Sequence, residues 1–249
     1  MRDLAKHKQD FLENGFTIIK DVFSNVEIEA IINIIHQADT SKPTFRKTKD
    51  LFAIRQFLRE IPEAFPFIFT EQLDSIISEL FGKDYLVVKS IYFDKPGASN
   101  WFVSYHQDLT ISVNKKIEME AFGPWSVKQN QYAVQPPLDS LESNFTIRIH
   151  LDDTDENNGA LRVVPKSHSK GIYRPKTIDW IKETEVSCNV PKGGIMIMRP
   201  LLLHASNRTI NEKKRRVIHI EFSNKSLPEP LQWSELLEEK RTGNIVLAK

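Results

Sequence analysis

The sequence is short of several features, and each shortage excludes a class of protein. A single cysteine, Cys188, leaves no internal disulfide and no site built from several thiolates, which is typical of a reducing compartment. No stretch approaches the roughly 20 apolar residues of a membrane-spanning helix, and the first residues have no apolar run of signal-peptide length. Basic and acidic side chains number 34 and 33, so a net charge of +1 gives no reason to expect nucleic acid or a membrane surface as a partner. We therefore expect a cytoplasmic protein that acts on a small molecule, with an oligomeric state that the sequence does not indicate.

The chain has enough apolar material for one large domain, because 40% of its 249 residues are hydrophobic and 10% are aromatic. We predict a single domain over residues 1–249. In this interpretation residues 1–84 are mainly helical support, residues 85–225 form a jelly-roll core, and residues 226–249 are a C-terminal tail.

Apolar spacing and capping residues predict the helices. Ser24 with Glu27 has the pattern of a capping box, and Thr70 is expected to cap a later helix. Residues 38–50 are polar and are predicted to be a loop. The expected helices cover residues 3–14, 24–37, two or three segments between 51 and 81 that are broken at Pro62 and Pro66, and a short amphipathic stretch around 233–240.

From Tyr85 onward, short stretches of strand-forming residues alternate with Gly, Pro and Asn turn signals. These short strands after a helical third indicate a mainly β protein with a double-stranded β-helix, a cupin-like jelly-roll barrel flanked by the N-terminal helices. The predicted strands are Tyr85–Phe93, Trp101–Asp108, Phe145–Asp152, Ala160–Val164, Glu185–Val190, Gly194–Met198, Leu201–His204 and Arg215–Phe222.

Two of these strands have one apolar and one polar face, because side chains alternate along a strand. Odd-numbered residues are apolar in Phe145–Asp152, and even-numbered residues from Ile218 onward are apolar in Arg215–Phe222. A surface sheet would turn the polar faces to water, whereas a barrel covered by helices would turn them into a cavity. The apolar stripes of the predicted N-terminal helices favour the barrel.

His106 and Asp108 form an H-x-D triplet, and residues i and i+2 of a strand project from the same face. An imidazole and a carboxylate suit Fe(II), and one more histidine would complete a facial triad with positions open for co-substrate and oxygen. His204 is preferred because it ends an apolar run and precedes Arg215 by a strand–turn–strand interval. The triplet alone is also compatible with a turn cap at His106. The prediction of a metal site therefore depends on the order and spacing of all these residues and on the barrel-like context. The candidates for the third ligand are His150, His168, His204 and His219.

Arg215 has a separate predicted role. A guanidinium can hold the distal carboxylate of 2-oxoglutarate by two hydrogen bonds while the 2-oxo acid end chelates iron. Arg215 lies in the basic cluster Lys213–Arg216, so a surface arginine is the alternative. Parity separates the two arginines, because Arg215 shares a face with His219 and Glu221, whereas Arg216 shares the apolar face.

Four segments resemble the phytanoyl-CoA dioxygenase family of Fe(II)- and 2-oxoglutarate-dependent oxygenases: FLENGFTIIKDVFSNVEIEAI, SYHQDLT, LDDTDENNGALRVVPKSH and LLLHASNRTINEKKRR. The resemblance implies a dioxygenase that uses Fe(II), with 2-oxoglutarate and O2 as co-substrates. It implies that His106, Asp108 and His204 are the catalytic iron ligands. Because Asp108 is present where halogenating relatives have a small residue, the resemblance favours hydroxylation, with release of succinate and CO2.

The resemblance also implies a 2-oxoglutarate pocket. Arg215 would bind the distal carboxylate, and Ser206, two residues after His204, would hydrogen-bond the same group. Thr146 and Arg148 stand on a strand that contributes to this pocket in the family, although this sequence has no aromatic side chain on the polar face there.

The long connection 109–143 is a candidate lid over the cavity. Within it, Trp125, Gln131 and Gln135 are candidate substrate contacts, and packing on the outside of the barrel is the alternative that we favour for Trp125. His150 is a further candidate, with a satisfied barrel histidine as its alternative. The polar cavity face predicts a small polar or anionic substrate.

Two rival functions remain open from the sequence. One is a non-catalytic jelly-roll protein that binds a metal or a small acid, although such a protein needs neither a complete ligand set nor Arg215. The other is a cupin-like zinc hydrolase, for which no general base is evident. The enzyme hypothesis accounts for more of these residues than either rival.

Overall fold

The computed structural model describes residues 3–39, 41–50, 52–128, 131–238 and 246–247. Its helices are α1 (Leu4–Asn14), α2 (Asn25–His36), α3 (Phe57–Glu60), α4 (Phe65–Ile68), α5 (Glu71–Phe81) and α6 (Leu138–Glu142). The strands up to residue 134 are β1 (Phe16–Ile19), β2 (Phe45–Lys47), β3 (Phe52–Arg55), β4 (Leu86–Lys95), β5 (Val103–His106), β6 (Ile111–Val113), β7 (Trp125–Lys128) and β8 (Gln131–Val134). The later strands are β9 (Phe145–His150), β10 (Leu161–Val163), β11 (Val186–Cys188), β12 (Ile195–Met198), β13 (His204–Ser206), β14 (Arg215–Ser223), β15 (Leu237–Glu238) and β16 (Val246–Leu247).

The helix caps have the predicted chemistry. The Ser24 backbone N–H donates to the Glu27 carboxylate at 2.7 Å, and the Glu27 N–H donates to the Ser24 hydroxyl at 3.3 Å, which completes the capping box. The Thr70 hydroxyl accepts from the Leu73 N–H at 3.3 Å. Among the described residues, no helix has both the length and the apolar character that a membrane crossing requires.

The largest sheet is antiparallel and runs in the order β1-β12-β9-β14-β4. Strand β4 continues it on its other side, where β3 of the β2–β3 hairpin pairs with one end and β15 with the other. Residues 1–84 therefore contribute strands as well as helices to the fold.

Two smaller sheets, β11-β10-β13-β5 and β6-β8-β7, face the same cavity as the large sheet. Within the described strands the three sheets stay separate, so the jelly-roll is formed by facing sheets and not by one continuous barrel. The predicted fold class, a mainly β jelly-roll with flanking helices, is confirmed.

The main hydrophobic core lies between the N-terminal helices and the outer face of the large sheet. It contains apolar residues of α1, α2 and α5 together with the odd-numbered residues of β9 and the even-numbered residues of β14. The Phe145 ring stacks between those of Phe81 and Phe222, with centroid distances of 3.8 and 4.8 Å. The helices thus cover the apolar face, and the polar face is left to the cavity, as parity predicts.

Some sequence expectations are wrong in their details. The run Leu201–Leu203 is a buried turn, not a strand, because Leu202 donates to the Arg199 carbonyl at 3.1 Å and the strand starts only at His204. The predicted loop 38–50 contains β2, which pairs with β3. In the connection 109–143, a candidate lid, the described residues include the sheet of β6, β7 and β8 and the helix α6, and a role as a lid stays a prediction.

The tail segment predicted as a helix is extended in its described part, because its polar groups bond to neighbouring strands. Trp233 forms a bridge with Val113, and Leu237 pairs with Val87 of β4. Residues 239–240 of that prediction lie outside the described residues.

A buried carboxylate attaches this tail to the sheet. Glu235 is 2% exposed, and its two oxygens accept from the Ser90 backbone N–H at 2.7 Å and from the Ser90 hydroxyl at 2.5 Å. Burial raises the pKa of Glu235 to about 7, although the hydrogen bonds from Ser90 lower it. The folded protein therefore favours the uncharged acid.

This raised pKa predicts a pH-dependent stability. The contribution of Glu235 is fully present below its unfolded pKa near 4.5 and is lost as pH rises through about 7. At about 1.4 kcal/mol per pH unit, we expect wild type to lose on the order of 3 kcal/mol relative to Glu235→Gln between pH 4.5 and 8. Urea unfolding of the metal-free protein across this range, with the exposed Glu118→Gln as control, measures the difference. A constant difference between wild type and Glu235→Gln would contradict the prediction.

Candidate active site

Three predicted ligands converge at the edge of the cavity. His106 ends β5, Asp108 follows two residues later, and His204 begins β13 directly opposite His106 in the β5–β13 pairing. The Nε2 atoms of His106 and His204 each lie 3.8 Å from an Asp108 carboxylate oxygen. One ligand atom from each residue lies within 4.8 Å of the others, which is a geometry that one metal ion can bridge.

The backbone determines which nitrogen of each histidine is free to bind a metal. The Nδ1 atom of His106 lies 2.9 Å from the Ser104 carbonyl, and that of His204 lies 2.8 Å from the Leu202 carbonyl. Because a carbonyl only accepts, Nδ1 carries the hydrogen in both rings and donates it. The Nε2 lone pairs are therefore available to a metal on the side of Asp108.

The protonation states also suit metal binding. Burial lowers the pKa of His204 to about 4, against the opposing attraction of Asp108, so its ring is neutral near pH 7. Burial alone would raise the pKa of Asp108, but electrostatic interactions with the His204 and His219 rings and with the Lys89 ammonium outweigh it and hold the pKa well below its ordinary value. A neutral imidazole and an ionised carboxylate are the forms that coordinate Fe(II).

The cavity beside these ligands has a volume of about 480 Å³. Its walls come from all three sheets and combine apolar with polar side chains. The apolar part includes Ile91, Phe93, Trp101, Leu109 and Leu161. A cavity of this size accommodates a small molecule together with a co-substrate.

Two buried arginines, Arg148 and Arg215, line the same cavity. Burial lowers the pKa of Arg215 to about 9 and that of Arg148 to about 10, and the charge of Arg148 lowers the Arg215 value further. The Arg215 Nη1 donates to the Gly159 carbonyl at 2.6 Å. Like charges buried together need an anion between or beside them, because an uncompensated buried charge is costly.

Unpaired polar atoms surround the same place. Among the described residues, the buried atoms without a hydrogen-bond partner include Nε of Arg148 and Arg215, Nε2 of His150 and Oγ1 of Thr146. The Gly159 Cα also approaches this cluster, because an added Cβ there would lie 2.8 Å from the Lys95 Nζ. Donors that lack partners beside two buried cations fit the carboxylate of 2-oxoglutarate.

A buried network joins this arginine pair to the metal side. The Arg148 Nη1 donates to the Nδ1 atom of His219 at 3.1 Å, so the His219 Nε2–H donates to the Glu221 carboxylate at 3.0 Å. The Lys89 ammonium donates to the same carboxylate oxygen at 2.6 Å. Burial would raise the pKa of Glu221, but Lys89 and His219 lower it, so the carboxylate stays charged.

The structure separates the four candidate histidines. Only His204 joins the ligand cluster. His219 belongs to the buried network, His150 bonds through Nδ1 to the Thr154 hydroxyl at 2.9 Å, and His168 lies 3.3 Å from the Leu12 carbonyl, outside the cavity.

The predicted co-substrate and substrate residues have different positions. Arg148, Ser206, Arg215 and Gln131 line the cavity. Thr146 and His150 are buried and are not among the described residues that line the cavity, and they carry the unpaired atoms described above.

Two further predicted contacts, Trp125 and Gln135, lie elsewhere. Trp125 packs against the apolar core of the β6–β8 sheet, and its side chain is not among the described residues that line the cavity. The Gln135 backbone bonds with Gly123 and Pro124 across a turn, and its side chain is not among the described residues that line the cavity.

Sequence reasoning missed Lys89, Arg46 and Arg55 beside the cavity, and it placed Glu221 on the inward face without its partner. Lys89 and Glu221 are cross-strand partners, and Arg46 and Arg55 lie on the β2–β3 hairpin. Alternation along Val88–Phe93 places Lys89, Ile91 and Phe93 on one face, which is a signal that could have identified Lys89.

Two histidines and a carboxylate beside a cavity with a buried arginine, on a jelly-roll, define the class of Fe(II)- and 2-oxoglutarate-dependent oxygenases. The phytanoyl-CoA dioxygenase (PhyH) family model matches residues 11–217. The chain belongs to the phytanoyl-CoA dioxygenase family, and it is a 2-oxoglutarate-dependent dioxygenase that uses Fe(II), with O2 as the second co-substrate. This membership favours the enzyme hypothesis over a non-catalytic binding protein and over a zinc hydrolase.

Individual relatives are distant. The chain is 21% identical to the peroxisomal phytanoyl-CoA dioxygenase of Bos taurus, over 88% of this chain and 68% of that protein. It is 22% identical to a probable alpha-ketoglutarate-dependent hypophosphite dioxygenase of Stutzerimonas stutzeri, over 70% of this chain and 57% of that protein. The structure of HygX from Streptomyces hygroscopicus with nickel and 2-oxoglutarate bound has the same fold, with a TM-score of 0.62 and 13% identity over 88% of this chain and 86% of that one.

The buried network predicts a large cost for removing its carboxylate. Glu221→Gln leaves the Lys89 charge buried without an ionised partner, and we expect the free energy of unfolding of the metal-free protein to fall by about 3 kcal/mol. The double variant Lys89→Met/Glu221→Gln should regain most of that loss, because it removes the uncompensated charge. Urea unfolding of wild type, both single variants and the double variant measures the coupling. Additive effects of the two changes would show that the pair is not coupled.

Proposed function

We propose that this enzyme hydroxylates a C–H bond of a small polar or anionic molecule. One oxygen atom of O2 enters the substrate and the other enters succinate, which forms from 2-oxoglutarate with loss of CO2. The observation that carries the proposal is the cluster of His106, Asp108 and His204, with ligand atoms within 4.8 Å of one another, beside the same cavity as Arg215. A cytoplasmic location stays a prediction.

In this proposal His106 and His204 hold Fe(II) through Nε2, and Asp108 holds it through a carboxylate oxygen. When bound, the iron supplies oxygen activation coupled to the oxidation of 2-oxoglutarate. Hydrogen bonds from Nδ1 of both rings to backbone carbonyls keep the imidazoles oriented, so little reorganisation is needed when the metal enters. The presence of Asp108 as a third protein ligand favours hydroxylation over halogenation.

Arg215 is proposed to bind the distal carboxylate of 2-oxoglutarate, with Ser206 hydrogen-bonded to the same group. Arg148 and Thr146 would complete the pocket. The unpaired Nε atoms of both arginines and the unpaired Thr146 hydroxyl, among the described residues, support this assignment. The bound 2-oxoglutarate in the HygX structure supports the co-substrate, although not the individual contacts.

The substrate is proposed to occupy the part of the cavity lined by Gln131, Trp101 and Phe93. The two relatives differ in the substrates that their names state, an acyl-CoA and hypophosphite, so the family alone does not select one. Among the four predicted contacts, Gln131 is the one whose side chain is proposed to meet the substrate. Trp125, Gln135 and His150 are proposed to support the wall around it.

Removal of one ligand tests the metal site. Anaerobic addition of Fe(II) and 2-oxoglutarate to wild type should produce a weak visible absorption band from the chelate, and His204→Ala should abolish it. In metalloproteins, mutating a residue that only hydrogen-bonds to a metal ligand typically costs about 10–100-fold in metal affinity. Because His204→Ala removes a ligand itself, we expect its affinity for Fe(II) to fall by about 100-fold or more. His36→Ala, which alters an exposed histidine at the end of α2, is the control. An undiminished band in His204→Ala would refute this ligand assignment.

The two neighbouring arginines test the co-substrate site. A charge-assisted hydrogen-bond pair contributes about 1.5–3 kcal/mol, so Arg215→Ala should raise the Kd for 2-oxoglutarate by roughly 10- to 100-fold with little effect on metal affinity. Arg216→Ala is the matched control, because Arg216 points to the other face and pairs with Asp152 at 2.7 Å. Titration of the visible band with 2-oxoglutarate measures the Kd. Equal values for the two variants would remove Arg215 from this role.

A further inference from the structure

The cavity lining carries an excess of positive charge. Its described cationic residues are Arg46, Arg55, Lys89, Arg148 and Arg215, and Asp108 is the one acidic residue among the described lining residues. Lys89 is paired with Glu221, and Asp108 belongs to the metal ligands. Arg148 and Arg215 are accounted for by the proposed co-substrate site. The two arginines of the β2–β3 hairpin have no role in that chemistry.

Strand register places these two arginines on one face of the hairpin. Arg46 of β2 lies directly opposite Ala53 of β3, and Arg55 is two residues beyond Ala53 on the same strand. Residues i and i+2 share a face, so Arg46 and Arg55 are diagonal neighbours, a separation that long side chains bridge easily. All three residues line the cavity.

The hairpin continues the polar face of the large sheet toward the substrate region. Ala53 pairs with Phe93, and Arg55 pairs with Ile91, which in turn lies opposite His219 of β14. The cavity face therefore has guanidinium groups at its edge and the apolar side chains of Ile91 and Phe93 between them and the central strand.

Electrostatics shows that these charges act on one another. Burial lowers the pKa of Arg55, and the positive charge of Arg46 lowers it further. Arg55 in turn opposes the charged form of Lys89. Two guanidinium groups on one face of a cavity wall supply paired cationic donors of the kind that bind a carboxylate or a phosphoryl group.

We propose that Arg46 and Arg55 form the subsite for an oxyanion of the primary substrate, a carboxylate or a phosphoryl group. This inference rests on the proposed function, because it assigns the substrate class to the same cavity. The anionic group binds the hairpin, and the apolar part of the substrate lies along Ile91 and Phe93 toward the metal ligands. The hairpin thereby determines which C–H bond is presented for oxidation.

Inorganic phosphate is the probe for this subsite. The enzyme is loaded with Mn(II) in place of Fe(II) and saturated with 2-oxoglutarate, which occupies the Arg215 site. Phosphate that binds in the cavity is then relaxed by the paramagnetic metal in ³¹P NMR. We expect saturable relaxation in wild type, and at least a fivefold weaker apparent phosphate affinity in Arg46→Gln and in Arg55→Gln.

Matched variants and a separate measurement distinguish the possible failures. Arg55→Lys should retain most of the phosphate affinity because it keeps the charge, and Arg174→Gln, which alters an exposed arginine away from the cavity lining, should behave like wild type. Absence of saturable relaxation in wild type, or relaxation unchanged in Arg46→Gln/Arg55→Gln, overturns the subsite. The anaerobic Fe(II)–2-oxoglutarate band is recorded for every variant. Its absence in wild type would refute the proposed function, whereas its presence without arginine-dependent phosphate binding refutes only the subsite.

Discussion

The pairing of β14 with β4 on one side and β9 on the other is the constraint on which the site depends. Each residue of Arg215–Phe222 has a fixed neighbour on at least one side, and alternation then assigns its side chain to the core or to the cavity. The same register turns Arg215, His219 and Glu221 inward and Ile218, Ile220 and Phe222 outward. A shift by one residue would bury the charges under the helices and bring the apolar side chains to the metal. The outer core of isoleucine and phenylalanine is therefore what keeps the catalytic face in register.

Inward charges in a low-polarity interior require compensation, and the cavity provides it in two ways. The Lys89–Glu221–His219 network compensates its charges within the protein. The Arg148–Arg215 pair has no such protein carboxylate at hydrogen-bond distance among the described residues, and it retains unpaired Nε donors. The Lys89–Glu221–His219 network stabilises the cavity wall. The Arg148–Arg215 pair keeps hydrogen-bond donors that an anion could use. Arg148 joins the two, because it donates to His219 on one side and faces Arg215 on the other.

Sequence reasoning recovered the features that depend on local order. The shared face of His106 and Asp108, the inward parity of Arg215 and the helix caps each follow from periodicity within a few residues, whereas His204 is identified by its interval to Arg215 and by the family resemblance. It failed where the decisive partner is distant in the chain. Residues Leu201–Leu203 are apolar because they are buried in a turn, not because they belong to a strand. An apolar run of three residues is compatible with either structure. Alternation along β4 could have placed Lys89 on the cavity face, but Arg46 and Arg55 acquire their position beside the cavity only through cross-strand register, which no local pattern encodes.

The residues proposed for the oxidation chemistry and those proposed for substrate binding lie on different elements of the fold, so the substrate site can vary while the chemistry is kept. The proposed metal ligands come from β5 and β13 and the segment between β5 and β6, and the proposed co-substrate arginine comes from β14. All of these belong to the facing sheets that hold the fold together. The hairpin β2–β3 pairs with that framework through β4, at the edge of the large sheet, and Asp50 in its turn accepts hydrogen bonds from Ser99 and Asn100. Arg46 and Arg55 lie on the opposite face of the hairpin from the buried Ile54, so a change at either leaves the core packing in place, whereas a change on β14 disturbs both of its neighbours. Substrate selectivity can therefore change most readily through side chains of the edge hairpin, whereas the residues of the oxidation chemistry lie on the central strands.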